Sequence, residues 1–271
     1  MNKLITSKEN ETIKYIKKLS EKKYRDEEQK YIIEGIKIVE EAIQEKAEIE
    51  KIIISEQNLA TNEMLKKIIT KIEKYQEKCS CQCECIYATE TIFKGLTQVI
   101  NPQGIIAVVK KNSNTVIKYD EDIIVVLDDI QDPGNLGTIL RTVDSIGLKQ
   151  LVVSKGTADV YNPKVVRSTM GAIFRVNVIE KENIKETIEE VRQNKYRLIV
   201  SSLQTENNIY DIDYNRKIIV MGNEANGVRK EIQDMADEKV KIPMLGKTES
   251  LNVSVATGII LYEYVRQKIN M

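Results

Sequence analysis

The sequence predicts an α/β protein built in two parts, and three observations predict it. Runs rich in β-branched residues, such as IEKIIIS, DIIVVLDD and KIIVMG, alternate with segments apolar at helical spacing, such as IKIVEEAIQEK and IKETIEEVRQN. The chain has 271 residues, a length that suits two domains by the prior of roughly 150 residues for one. Residues 110–122, KKNSNTVIKYDED, are polar and follow neither period. They divide the chain into a part over 1–112 and a part over 120–271.

In the first part, ENETIKYIKKLSEKK reads as one helix with Ile13, Ile16 and Leu19 on its apolar side. KYIIEG is a short strand ended by Gly35, IKIVEEAIQEK a helix, IEKIIIS a strand and NEMLKKIITKIEKYQ a helix. ECIYAT and GIIAVVK are strands on either side of a short TETIFKGL helix. The second part opens on DIIVVLDD, an unbroken apolar run of the kind buried on both faces in a parallel sheet. The loop IQDPGNLG leads into the helix TILRTVDSIG; QLVVS is a strand, PKVVRSTMGAIF holds a helix, and FRVNVI is a strand. IKETIEEVRQN is a helix, YRLIVSS and KIIVMG are strands, GVRKEIQDMA is a helix, and EKVKIP is a strand before the final helix. This alternation implies a mostly parallel sheet, with ligands bound beyond the C-terminal ends of its strands.

Composition narrows the chemistry. Forty-one Lys and Arg balance forty-one Asp and Glu, so any nucleic-acid binding comes from local patches and not from a global field. No apolar run approaches the ~18 residues of a membrane span, and the N-terminus lacks the apolar core of a secretory signal. The expectation is a cytoplasmic protein with no membrane partner. There is no His, which excludes Ser-His-Asp and Cys-His mechanisms and removes the usual proton shuttle. The four cysteines, Cys79, Cys81, Cys83 and Cys85, alternate in CSCQCEC. On a strand, residues two apart lie roughly 6–7 Å from one another, too far for four thiolates to share one zinc without bending the chain. No metal is expected, and no disulfide in a reducing compartment.

Three loops follow strands in the second part. In LDDIQDPGNLGTILRT, Asn135 lies near the start of the helix that carries Arg141, six residues or about 9 Å further along the axis. In VMGNEANGV, Gly222 and Gly227 bracket Asn223, Glu224 and Asn226. In IPMLGKTESLNVSVA, the stretch from Ser250 alternates as a strand would, whereas Leu251, Val255, Ile259 and Tyr262 fall on one face of a helix. A helix starting near Ser250 would hold Ser250, Asn252 and Ser254 in its first turns. Each loop alone has a plain reading, Asn135 and Ser250 as helix caps and GNEANG as a turn. GNLG does not match the dinucleotide fingerprint G-x-G-x-x-G.

Taken together and in this order, DPGNLGTILRT, GNEANGV and IPMLGKTESLNVSVA strongly resemble the three motifs of the SpoU (TrmH-type) RNA ribose 2′-O-methyltransferases of the SPOUT superfamily. The resemblance covers roughly residues 120–268. The first part, through KYIIEGIKIVEEAI and PQGIIAVV, resembles the RNA substrate-binding domain often fused ahead of such enzymes. The likeness implies a C-terminal domain closed by a deep trefoil knot, whose loops bind S-adenosylmethionine. It implies donor contacts at Leu203, Gly222, Ile242, Met244 and Leu251, with backbone contact suiting Gly222, where a side chain would obstruct close approach. Asn135, Arg141, Glu224, Ser250 and Asn252 match the family's polar catalytic positions. The implied reaction is methylation of a ribose 2′-hydroxyl in structured RNA, with large-subunit ribosomal RNA preferred and transfer RNA second. Relatives pair through the final helix, which implies a homodimer joined by the C-terminal domain.

Between Ile13 and Arg25 six basic residues stand against one acid, Glu21. Lys17, Lys18, Lys22, Lys23 and Arg25 are the expected RNA contacts of the first part, with Tyr15 and Tyr24 available to stack. The competing reading of that run is a solvated helix face. For the whole protein, the competing reading from another class is an RNA-binding protein that keeps the fold without transferring methyl groups.

Overall fold

The computed structural model describes residues 3–78 and 83–269. These form two compact units, one of Met1–Asn112 with Tyr161–Phe174, the other of Ser113–Val160 with Arg175–Met271. The segment Tyr161–Phe174, which sequence position places in the second part, clusters with the first unit.

Along the chain the first elements are β1 (Lys3–Ile5), α1 (Glu11–Lys18), α2 (Lys22–Glu28), β2 (Lys30–Glu34), α3 (Ile36–Gln44) and β3 (Ile49–Ser55). There follow α4 (Glu56–Thr61), α5 (Glu63–Lys78), β4 (Glu84–Ala88), α6 (Glu90–Lys94) and β5 (Ile105–Lys110). The five strands make a mixed sheet in the order β1-β4-β3-β5-β2, with β5 antiparallel to both of its neighbours. Ile13, Ile16 and Leu19 pack with Ile53, Ile86, Phe93 and Val108 in one core of this unit.

The expected single helix over ENETIKYIKKLSEKK is two. Arg25 explains the break: its guanidinium Nη1 donates to the carbonyls of Leu19 at 2.9 Å and Ser20 at 2.6 Å. Carbonyls that would otherwise end α1 without partners are thus met by a side chain from α2. β1 and α4 are too short to carry a period, and the sequence pattern predicts neither.

The second unit contains β6 (Ile123–Asp128), α7 (Pro133–Ser145) and β7 (Gln150–Ser154). The helix α8 (Pro163–Ser168), in the segment that clusters with the first unit, comes next in the chain. The second unit resumes with β8 (Asn177–Lys181), α9 (Ile184–Gln193), β9 (Arg197–Ser201), β10 (Lys217–Gly222), α10 (Lys230–Gln233), β11 (Glu238–Val240) and α11 (Val253–Ile269). Its six strands lie in the order β11-β9-β10-β6-β7-β8, every pair parallel. Every residue of β6 is buried, as its unbroken apolar run requires. Ile124 and Val126 enter one core with Ile188 and Val191 of α9 and Ile218 and Val220 of β10.

One expectation about the final helix is corrected. It starts at Val253, not near Ser250, so Ser250, Leu251 and Asn252 belong to the approach and only Ser254 to the first turn. The side that carries Leu251, Val255, Ile259 and Tyr262 is not the buried one. Buried are Val253, Thr257, Ile260, Leu261 and Tyr264, while Val255 is 50% and Tyr262 53% exposed. No described helix is long and apolar enough to cross a membrane.

Candidate active site

From β6 the chain steps to β7 and then β8 on one side; β9, β10 and β11 lie on the other. This reversal of strand order falls between β6 and β10, where an open α/β sheet leaves a crevice beyond its strand ends. Asp128 and Gly222, the last residues of the two strands, are paired across that point. The loops after β6, β10 and β11 meet there.

In the first loop the helix cap is Asp132, not Asn135. Its side chain accepts from the Asn135 backbone N–H at 2.8 Å, and Pro133 follows in the first turn, where a missing N–H costs nothing. The Asn135 side chain is therefore released from capping. Its Nδ2 donates to Glu224 Oε1 at 2.9 Å, and its Oδ1 accepts from Asn252 Nδ2 at 3.0 Å.

The second loop folds back at once after β10. Gly227 takes a left-handed φ of +68° and donates its N–H to the Asn223 carbonyl at 2.9 Å, while Asn223 Oδ1 accepts from the backbone N–H groups of Ala225 and Asn226. A Cβ on Gly222 would stand 2.1 Å from Gly227 C and Val228 N. Gly222 is thus required by the return of its own chain, a steric demand that stands apart from any contact with the donor. At the tip, Glu224 accepts from the backbone N–H groups of Gln131 and Asp132, both at 3.2 Å, besides Asn135. Partial burial pushes its carboxyl up, but these bonds, led by Asn135, outweigh it and hold the group below its ordinary value.

In the third loop Asn252 caps α11: its Oδ1 accepts from Ser254 N at 2.9 Å and from Ser254 Oγ at 2.6 Å. With its oxygen so held, its amide nitrogen points to Asn135. A continuous chain of oriented groups results, Ser254 to Asn252 to Asn135 to Glu224, drawn from three loops.

Beside this chain opens a cavity of about 530 Å³, within the roughly 300–1,000 Å³ of small-molecule sites. All five expected donor contacts, Leu203, Gly222, Ile242, Met244 and Leu251, line it. Glu224, Ser250 and Asn252 line it too. Asn135 reaches its rim through Glu224 and Asn252. Arg141 is not brought in. It is exposed on α7, about 120° around the helix from Asn135 at 100° per residue, on the same face as Thr138 and Ser145. Ser145 Oγ lies 3.4 Å from the Tyr262 hydroxyl, so that face borders the exposed stripe of α11.

Sequence reasoning missed Asp128, fully buried and held by Arg229 with Nη2–Oδ1 at 2.7 Å. A charged residue closing a fully apolar strand was the available signal.

In the first unit, Lys17, Lys18, Lys22 and Lys23 are exposed on α1 and α2. The ammonium groups of Lys18 and Lys23 stand 5.6 and 5.7 Å from the Tyr24 ring centroid. Arg25 does not belong with them. It is 2% exposed and its guanidinium holds the backbone of the α1–α2 turn, which corrects its assignment as an RNA contact. Tyr31 is buried against Tyr161, with ring centroids 4.7 Å apart. Cys79 and Cys81 lie outside the described residues; Cys83 is buried and Cys85 half-buried. Among the described residues no group of three or more His, Cys, Asp or Glu side chains is placed to hold a metal.

Residues 122–262 match the SpoU rRNA Methylase family, and residues 10–107 the MRM3-like substrate binding domain. The chain belongs to the SpoU rRNA methylase family. It is 30% identical to the 23S rRNA (guanosine(2553)-2′-O)-methyltransferase of Bacillus subtilis over 96% of this chain and 98% of that one. It superposes on an S-adenosylmethionine-bound rRNA methyltransferase from Sinorhizobium meliloti with a TM-score of 0.84 at 27% identity, covering 98% of each chain. An RNA 2′-O ribose methyltransferase of known structure matches with a TM-score of 0.80 at 28% identity, over 98% of this chain and 99% of that one. This SpoU methylase is an enzyme, and its methyl donor is S-adenosylmethionine. The cavity suits that donor: Leu203, Ile242, Met244 and Leu251 offer apolar wall, and the ionised Glu224 offers negative charge to a sulfonium.

Proposed function

We propose that this protein methylates a ribose 2′-hydroxyl of 23S ribosomal RNA, acting in the cytoplasm as a homodimer whose C-terminal domain closes in a trefoil knot. The observation that carries the proposal is the oriented chain Asn252–Asn135–Glu224 at the rim of a donor-sized cavity. It presents fixed hydrogen-bonding groups where a nucleotide must be held beside the donor. Bound there, S-adenosylmethionine supplies an activated methyl group. The protein's task is to place a ribose oxygen in line with it and to manage one proton. Glu224, Asn135, Ser250 and Asn252 orient the ribose.

Arg141 stabilises the developing alkoxide and clamps the neighbouring phosphate with its planar fork, since a guanidinium is essentially never deprotonated in proteins. It lies outside its own subunit's cavity, on the face of α7 that borders the exposed Val255 and Tyr262 of α11, with the half-buried Ile259 between them. Apolar side chains at helical spacing on an unburied face are what a second copy would cover, and such a seam would contain Arg141. RNA reaches the first unit over Lys17, Lys18, Lys22 and Lys23, with Tyr24 between them.

The test is transfer of labelled methyl from S-adenosylmethionine to 23S, 16S and transfer RNA lacking modification, followed by mapping of 2′-O-methyl positions. The expected result is one labelled ribose in 23S RNA. Label confined to transfer RNA, or none at all, refutes the proposal.

A further inference from the structure

The carboxylate of Asp128 is held from three atoms of one residue, by two hydrogen bonds and an ion-pair contact. Arg229 Nε and Nη2 reach Oδ1 at 2.8 and 2.7 Å, and the Arg229 backbone N–H reaches Oδ2 at 3.0 Å. Asp128 is 0% exposed, whereas the Arg229 side chain is 48% exposed. The residue after β6, Asp129, accepts at its carbonyl from Asn223 Nδ2 at 2.8 Å. The loop that carries Glu224 is therefore pinned at both ends, by Asn223 and by Arg229, to consecutive residues at the end of β6.

We propose that Asp128 and Arg229 are a positioning pair for methyl transfer, fixing Glu224 through the far end of its loop; this rests on the function proposed above. Glu224 holds Gln131 and Asp132 by bonds of 3.2 Å, already at the long end of the useful range. Slack of a few tenths of an ångström at the tip breaks them. Breaking them frees the Asn135 amide, which Glu224 and Asn252 orient between them. A charge-assisted, two-nitrogen grip on a buried carboxylate is the kind of tether that limits such slack, because Asp128 has no water to turn to. The backbone N–H of Arg229 joins the same carboxylate, so side chain and loop end are set by one group. Neither residue lines the cavity; the pair acts through Glu224.

The experiment is a double-mutant cycle of Arg229→Gln with Glu224→Ala, read as the single-turnover methylation rate at saturating donor and RNA, with melting temperature recorded alongside. Arg229→Gln is expected to slow transfer about thirtyfold in the parent and less than about threefold in Glu224→Ala, since the residue it positions is already gone. Arg229→Lys, which keeps the charge and loses the fork, is expected to lie between parent and Arg229→Gln. Equal slowing by Arg229→Gln in both backgrounds overturns the proposal, because the pair then serves the fold alone. Should Arg229→Gln not fold, the same cycle with Arg229→Lys decides on the same criterion. A parent protein that transfers no methyl to RNA rejects the functional reading, and the positioning role with it.

Discussion

The side-chain oxygen of Asn135 accepts a hydrogen bond from Asn252 Nδ2 at 3.0 Å across 117 residues of sequence. Neither amide can rotate freely. Asn252 commits its oxygen to the first turn of α11, and Asn135 commits its nitrogen to Glu224. Whatever these groups present to a nucleotide is set before the nucleotide arrives.

Asn135→Asp replaces a donor by an acceptor 2.9 Å from a Glu224 oxygen. Two carboxylates so placed repel until one takes a proton. The expected outcome is a single-turnover rate about a hundredfold lower, or about 2.7 kcal/mol of barrier, with part of the loss recovered as pH falls. Donor affinity measured by calorimetry should stay within about threefold of the parent, since Asn135 does not line the cavity.

Arg141→Lys should fold normally, because the side chain is exposed, and should bind S-adenosylmethionine like the parent, because Arg141 is outside the cavity. Methyl transfer should slow at least about a hundredfold through loss of the planar fork. Near-parental single-turnover rates would show that a bare positive charge suffices.

Glu224 gives a pH signature of defined sign. Its carboxyl lies below the ordinary 4.5 in the folded protein. The stability it contributes is thus fully present above that unfolded value and is lost as pH falls through the lower folded one. Glu224→Gln removes the contribution. The difference in melting temperature between parent and Glu224→Gln should be constant near neutrality and shrink in acid below pH 4.5. A difference that grows in acid contradicts the assignment.

Val255 and Tyr262, each about half exposed, are the test of the dimer. Light scattering should give twice the chain mass for the parent at micromolar concentration and the single mass for Val255→Glu with Tyr262→Glu. A monomeric parent refutes the seam.

Charge reversal at Lys17, Lys18, Lys22 and Lys23 should flatten the salt dependence of RNA binding, by roughly 0.7–0.9 in log–log slope for each phosphate that is no longer neutralised. Arg25 should behave otherwise. Its removal costs stability at the α1–α2 turn and leaves the salt slope alone, as its guanidinium is occupied by two carbonyls.

The parallel strands were legible because burial on both faces leaves an unmistakable run, as in IIVVLD and KIIVMG. The break between α1 and α2 was not. The apolar period continues through Leu19, and what stops the helix is a guanidinium from five and six residues on. Which side of α11 is buried was not legible, for a related reason. A stripe at 251, 255, 259 and 262 looks the same whether it faces its own core or a partner, and nothing in the spacing says which. The site residues came from resemblance, because three loops spread along the chain show no mutual distance in a linear sequence. Asp132 as the cap was within reach, since Asp followed by Pro is a strong helix start.

The third wall of the cavity comes from residues on either side of the turn into α11, among them Ile242, Leu251 and Ala256. Ribosomes deliver these residues after every other part of the sheet. A nascent chain with β6 and β10 already paired would have Asp128, Gly222 and Glu224 in place and still nothing to enclose the donor. Cofactor affinity therefore waits until α11 has been made, and chains truncated before α11 would not compete with finished enzyme for S-adenosylmethionine.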